Sequence, residues 1–64
     1  MSKLKAGNIF KVKSEKNIFF VLTEVKGSDV KHKTIFEGEL LDKVIECEYY
    51  FILMLIDQKL IKKV

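Results

Sequence analysis

Cys47 and His32 are the only cysteine and the only histidine in the chain, so they form its single Cys–His combination. Nucleophilic catalysis needs a thiolate, a base within reach and a group that orients the base. Cys47 stands in an alternating apolar series with Ile45, Tyr49, Phe51, Leu53 and Leu55. A thiol in such a series serves as a small core hydrophobe. His32 lies between Lys31 and Lys33, in a position that reads as solvated. Glu37, Glu39, Asp42, Glu46 and Glu48 offer carboxylate pairs. On a strand, Glu46 and Glu48 project from one face roughly 7 Å apart. Acid–base work would also require a pocket that perturbs their pKa values. With Lys43 among them, they read as a solvated polar face. A closed zinc site usually takes four Cys or His ligands, and no calcium-loop signature is present. Gly7, Gly27 and Gly38 are too far apart to build a phosphate loop. The expectation is a protein that is not an enzyme and carries no metal or cofactor.

The charge pattern permits a different chemistry. All 12 basic residues are Lys, and the net charge is +3. Residues 1–33 hold eight Lys against Glu15, Glu24 and Asp29, a local balance of +5, while residues 34–64 balance at −2. Lys11, Lys13, Lys31 and Lys33 would form one basic surface if their segments share a face, with Phe10, Phe19 or Tyr50 available for stacking. Such a surface gives salt-dependent, sequence-nonspecific nucleic-acid affinity. Lys is a poor substitute for Arg in bidentate recognition of bases or phosphates. Alternating Lys also serves simply to keep strand edges soluble.

Sixty-four residues make one small domain, 1–64. A chain of this size buries only about 60% of the surface that its unfolded state exposes. A lone cysteine forms no intramolecular disulfide, so a partner chain is a natural source of added stability. The free thiol suits a reducing, cytoplasmic setting. The opening Met1-Ser2-Lys3-Leu4-Lys5-Ala6-Gly7 has no apolar stretch of a secretory signal. The longest apolar run, Tyr49 to Ile56, is eight residues, far short of the ~20 that a membrane-spanning helix needs.

Turn signals cut the chain into strand-sized pieces. Asn8 to Lys13 alternates with period two and is followed by the polar Ser14-Glu15-Lys16-Asn17. Ile18 to Lys26 is rich in β-branched and aromatic residues, is apolar on both faces for most of its length, and ends at Gly27-Ser28-Asp29. Val30 to Glu39 reads as a half-exposed strand that puts Lys31, Lys33, Ile35, Glu37 and Glu39 on one side and His32, Thr34 and Phe36 on the other, with Gly38 marking a bulge or bend. Val44 to Ile56 is ambiguous. It reads as a long strand, and a helix can also be drawn through Leu40, Val44, Cys47, Phe51 and Leu55. Tyr49-Tyr50-Phe51-Ile52 is poor helix material, because aromatic and branched side chains lose χ1 freedom there, and this favours the strand. Lys59 to Val64 then returns as a short last strand.

Five strands in meander order suit an all-β fold, a small barrel or rolled antiparallel sheet. Leu4-Lys5-Ala6-Gly7-Asn8-Ile9-Phe10 resembles the approach to the first strand of SH3-like barrels, where a Lys-x-Gly-x-x-aromatic stretch is common, and Phe36-Glu37-Gly38-Glu39-Leu40 resembles a central strand of the same barrels. The resemblance implies a five-stranded SH3-like barrel and carries over no binding residue. The alternative is α+β, a three-stranded sheet covered by a C-terminal helix.

A barrel has one inside, so strands that are apolar on both sides must expose apolar surface. Contiguous exposed patches of that kind mark interfaces. The expected function is therefore non-enzymatic protein–protein interaction, as a homodimer or as a small adaptor or inhibitor docking on a larger protein. The expected contacts are Phe20, Leu22, Tyr50, Ile52 and Met54. The alternative is nucleic-acid binding through Lys11, Lys13, Lys31 and Lys33. No membrane and no small-molecule cofactor is expected among the partners.

Overall fold

Antiparallel hairpins build most of the molecule, and a computed structural model describes residues 4–64. Met1-Ser2-Lys3, read above as part of a start without a leader, lies outside the described residues. The elements run β1 (Ile9–Val12), β2 (Ile18–Lys26), β3 (Asp29–Phe36), β4 (Glu39–Glu48), α1 (Tyr49–Asp57) and β5 (Ile61–Lys63). The strands form one sheet in the order β4-β3-β2-β1-β5. It does not close into a barrel, so β4 and β5 are its two edges. The meander holds for four strands only. The fifth crosses over and pairs antiparallel with β1.

The turns follow from their residues. Lys26 pairs with Asp29 across Gly27-Ser28, and Gly27 has φ +59°, the left-handed position that a two-residue hairpin asks of glycine. Phe36 pairs with Glu39 across Glu37-Gly38, and both central residues have positive φ, as in a type I′ turn. Residues 36–40 are therefore a hairpin corner and not the central strand that the resemblance implied.

Two irregularities set the faces. Thr23 is an extra residue opposite β3, between the Leu22–His32 and Glu24–Lys31 pairs. A bulge reverses the alternation of everything beyond it. Val25 consequently joins Phe20 and Leu22 on the inner face, while Glu24 turns out beside Lys31. On β4, Leu41-Asp42-Lys43 bulge out between the Ile35–Leu40 and Lys33–Val44 pairs.

The inner face carries a core of Leu4, Phe10, Phe20, Leu22, Val30, Ile52 and Ile61. Phe10 and Phe20 stack at 5.4 Å between ring centres, and Phe20 tilts against His32 at 4.9 Å. The expected long strand over 44–56 gives way to a helix after Glu48. Glu48 pairs with Asp29, the first residue of β3, so a longer β4 would have no ladder partner. Helical bonding satisfies the backbone internally, and that need outweighs the low propensity of Tyr49-Tyr50-Phe51-Ile52. The Tyr49 N–H donates to the Ser28 carbonyl at 2.8 Å, and the Tyr49 hydroxyl accepts from the Leu4 N–H at 3.0 Å. Tyr49, Ile52, Leu53 and Ile56, at helical spacing, pack on or against the core. At the far end Leu60 N–H bonds Leu55 C=O and Lys59 N–H bonds Ile56 C=O, with Lys59 at φ +61°. This Schellman arrangement sends β5 back to β1.

Ile52 is 1% exposed and Tyr50, two residues away on the same helix, is 73% exposed. Ile52→Ala is expected to cost about 2–5 kcal/mol, most of the stability of so small a domain. Tyr50→Ala is expected to change it by no more than about 0.5 kcal/mol. Urea unfolding followed by circular dichroism reads both, and equal losses would contradict this division of the helix.

Candidate interaction surface

β4 is a ten-residue strand without a single buried residue. Half of it is apolar: Leu40, Leu41, Val44, Ile45 and Cys47. β3 flanks it on one side only. Directly paired residues share a face, so the registers define the outer face of the sheet. Ile9, Val21, Lys33 and Val44 form one row across it, and Lys11, Phe19, Ile35 and Leu40 form the next. The result is an apolar patch in which Leu40 and Val44 are the most open members, at 52% and 50% exposure. On the inner face the helix leaves the β4 side uncovered, where Phe36, Leu41 and Ile45 are exposed beside His32.

The expected contact set is not brought together. Phe20, Leu22 and Ile52 are core residues, a correction with two causes. Before the Thr23 bulge the inner face of β2 takes the even-numbered positions, and α1 inserts Ile52 where a strand would have presented it to solvent. Tyr50 and Met54 are exposed, one helical turn apart, on the outward side of α1. The residues missed were Leu40 and Val44. The Glu37-Gly38 turn is the signal that identifies Leu40, because pairing Phe36 with Glu39 places Leu40 opposite Ile35, on the side of Lys31 and Lys33.

The four lysines of the alternative do share one face. Lys11 and Lys33 stand in the two rows above, Lys31 lies between Glu24 and Glu46, and alternation puts Lys13 on the same side just beyond β1. Lys62 joins them by pairing with Lys11. Charge is therefore graded across the sheet. The β1–β5 side carries Lys11, Lys13, Lys62 and Lys63, and the β4 edge carries Glu39, Asp42, Glu46 and Glu48 against one Lys43.

Two depressions flank the start of α1. One, of about 390 Å³, is lined by Asp29, Glu46, Cys47, Glu48 and Phe51. The other, of about 360 Å³, is lined by Gly27, Ser28, Tyr49, Tyr50 and Leu53 and is almost wholly apolar. Among the described residues, no three His, Cys, Asp or Glu side chains converge as metal ligands would. Burial pushes the Cys47 thiol above its usual range and the His32 imidazole below its own. An activated thiolate–imidazolium pair needs the opposite shifts. No helix among the described residues is long and apolar enough to cross a membrane.

No protein-family model matches this sequence, no curated protein is significantly similar to it, and no solved structure matches its fold. The surface is interpretable only through its own chemistry.

His32 supplies a pH test of the inner face. Its Nδ1 is buried and has no hydrogen-bond partner among the described residues. Desolvation lowers its folded pKa below the unfolded value of about 6.5. The contribution of neutral His32 to stability is thus complete above that value and is lost as pH falls through the folded pKa. The thermal midpoint is expected to drop between pH 7.5 and 5.5, and less so in His32→Gln. An identical pH profile in the variant would show that His32 is not responsible.

Proposed function

We propose that this chain is a non-enzymatic protein-interaction module whose contact surface is β4 and the outer-face patch of Leu40, Val44, Ile35, Phe19, Val21 and Ile9. The single observation that carries the reading is β4 itself. A ten-residue strand, half of it apolar and interrupted by one bulge, is held at a sheet edge with nine residues exposed and only Cys47 half-buried against the core. Isolated exposed apolar residues are ordinary, but a contiguous patch on a domain of this size is an interface signature. The expected contacts shift accordingly from Phe20, Leu22 and Ile52 to the β4 wing, with Tyr50 and Met54 at most a separate site on the helix. A single free thiol in a reducing compartment fits a cytoplasmic adaptor or inhibitor. A photo-crosslinking residue placed at Val44 in cells is expected to give one discrete adduct whose mass tells a second copy from another protein. The same residue at Glu15, in the β1–β2 turn, is expected to give none. No adduct at Val44, or equal adducts at both positions, would sink the reading.

A second reading is favoured by the gathering of Lys11, Lys13, Lys33 and Lys62 around Phe19 on the same face. Lysines around an aromatic ring, here the half-buried Phe19, are the elements of a single-stranded nucleic-acid platform. It predicts an affinity for a 20-nucleotide single strand that falls roughly tenfold or more between 50 and 200 mM salt and is lost in Lys11→Glu/Lys33→Glu. Fluorescence anisotropy decides this, and unchanged binding in the double variant would remove the lysines from any such role.

A further inference from the structure

Three features of β4 define what can lie against it. Its outer edge is free, since β4 bonds only to β3 and no other described backbone group reaches residues 39–48. A row of unpaired N–H and C=O groups is a template for one more strand. Its charge is one-sided, with four carboxylates against one ammonium. Its two faces differ toward the C-terminal end. Glu46 and Glu48 share the outer face with Asp29, whereas Ile45 and Cys47 share the inner face with His32 and Val30, and the 390 Å³ depression is lined from both sides by Asp29, Glu46, Glu48 and Cys47.

We propose that the free edge of β4 takes one extended strand, alternating cationic with apolar residues, from another protein. The proposal rests on the interaction reading above and names the chemistry of its partner. Residues directly opposite one another in a ladder share a face. The added strand would therefore set Lys or Arg side chains against Glu46 and Glu48, on the face that Asp29 shares from the far side of β4. Its intervening apolar side chains would fall beside Ile45 and Cys47, extending the inner face where the helix stops short.

Charge also disfavours the other occupants. Pairing β4 with β4 of a second copy brings a net −3 strand against another, and like charges across a ladder destabilise it. The β5 edge of a second copy is cationic, but at three residues it would leave most of β4 bare.

The test uses the intact chain and capped eight-residue peptides. One alternates Lys and Val, a second alternates Glu and Val, and a third is the Lys–Val peptide N-methylated at every second amide. The Lys–Val peptide is expected to bind roughly tenfold or more tighter than the Glu–Val peptide and to slow amide exchange over residues 44–48. N-methylation, which removes the donors of one edge, and the exposed pair Glu46→Lys/Glu48→Lys are each expected to cost roughly tenfold. Equal binding of the Lys and Glu peptides, or undiminished binding of the methylated one, would overturn strand addition. A concentration-dependent dimer with the same amides already protected would overturn it in favour of a second copy. If neither peptide binds while the Val44 adduct to another protein persists, strand addition fails and the interaction surface stands. If that adduct is also missing, both fail.

Discussion

The pairing of Glu48 with Asp29 is the rung on which the rest of the structure turns. β3 begins at Asp29, so the ladder that supports β4 ends there, and a backbone leaving a sheet must find other partners for its N–H and C=O groups. The chain finds them by coiling at once. The Tyr49 N–H donates to the Ser28 carbonyl across the neighbouring turn, and its hydroxyl oxygen accepts from the Leu4 N–H, which ties the start of the described chain to the start of the helix. Ile52, one turn on, closes the core over Leu22 and Val30. The left-handed Lys59 then reverses the chain so that Ile61 enters the same core and β5 reaches β1. Helix, fifth strand and core closure all follow from where one strand runs out.

The same constraint leaves β4 bare. A nine-residue helix leaving from the end of β4 covers the middle of the inner face and not the β4 flank. The outer face has no covering element among the described residues. A domain of this size has little secondary structure with which to cover both sides of a five-stranded sheet. What remains uncovered combines apolar side chains, unpaired backbone and net negative charge on one strand, while the opposite side of the sheet is basic. The carboxylates of the second half thereby gather at the β4 edge, while Lys62 and Lys63 of the same half join Lys11 and Lys13 at the other.

Local chemistry carried much of the fold. The limits of β2, the turn at Gly27-Ser28, and the sidedness of Lys31, Lys33 and Ile35 against His32 and Thr34 were legible because period-two alternation and turn residues act over a few positions, whereas the hairpin at Glu37-Gly38 was read as a strand running on to Glu39. The contact residues were less so. Phe20 and Leu22 stand among apolar neighbours on both faces of β2, and nothing local says which face a core will claim. Residues 44–56 satisfy a strand pattern and a helix pattern at once, and the poor helix propensity of Tyr49-Tyr50-Phe51-Ile52 pointed the wrong way.

The sequence by itself determined a β-rich domain without a disulfide, with too much apolar strand to hide and its charge divided between two halves. Composition, alternation and turn residues are local properties, and each acts whatever the rest of the chain does. The tertiary structure alone decided that the sheet stays open, that β5 joins β1, that the strand yields to a helix at Tyr49 and that β4 is the surface left over. Those outcomes depend on ladder lengths and bulges, the bulge at Thr23 and the end of β3 at Asp29 above all. A ladder is a relation between distant segments, and no single segment encodes it.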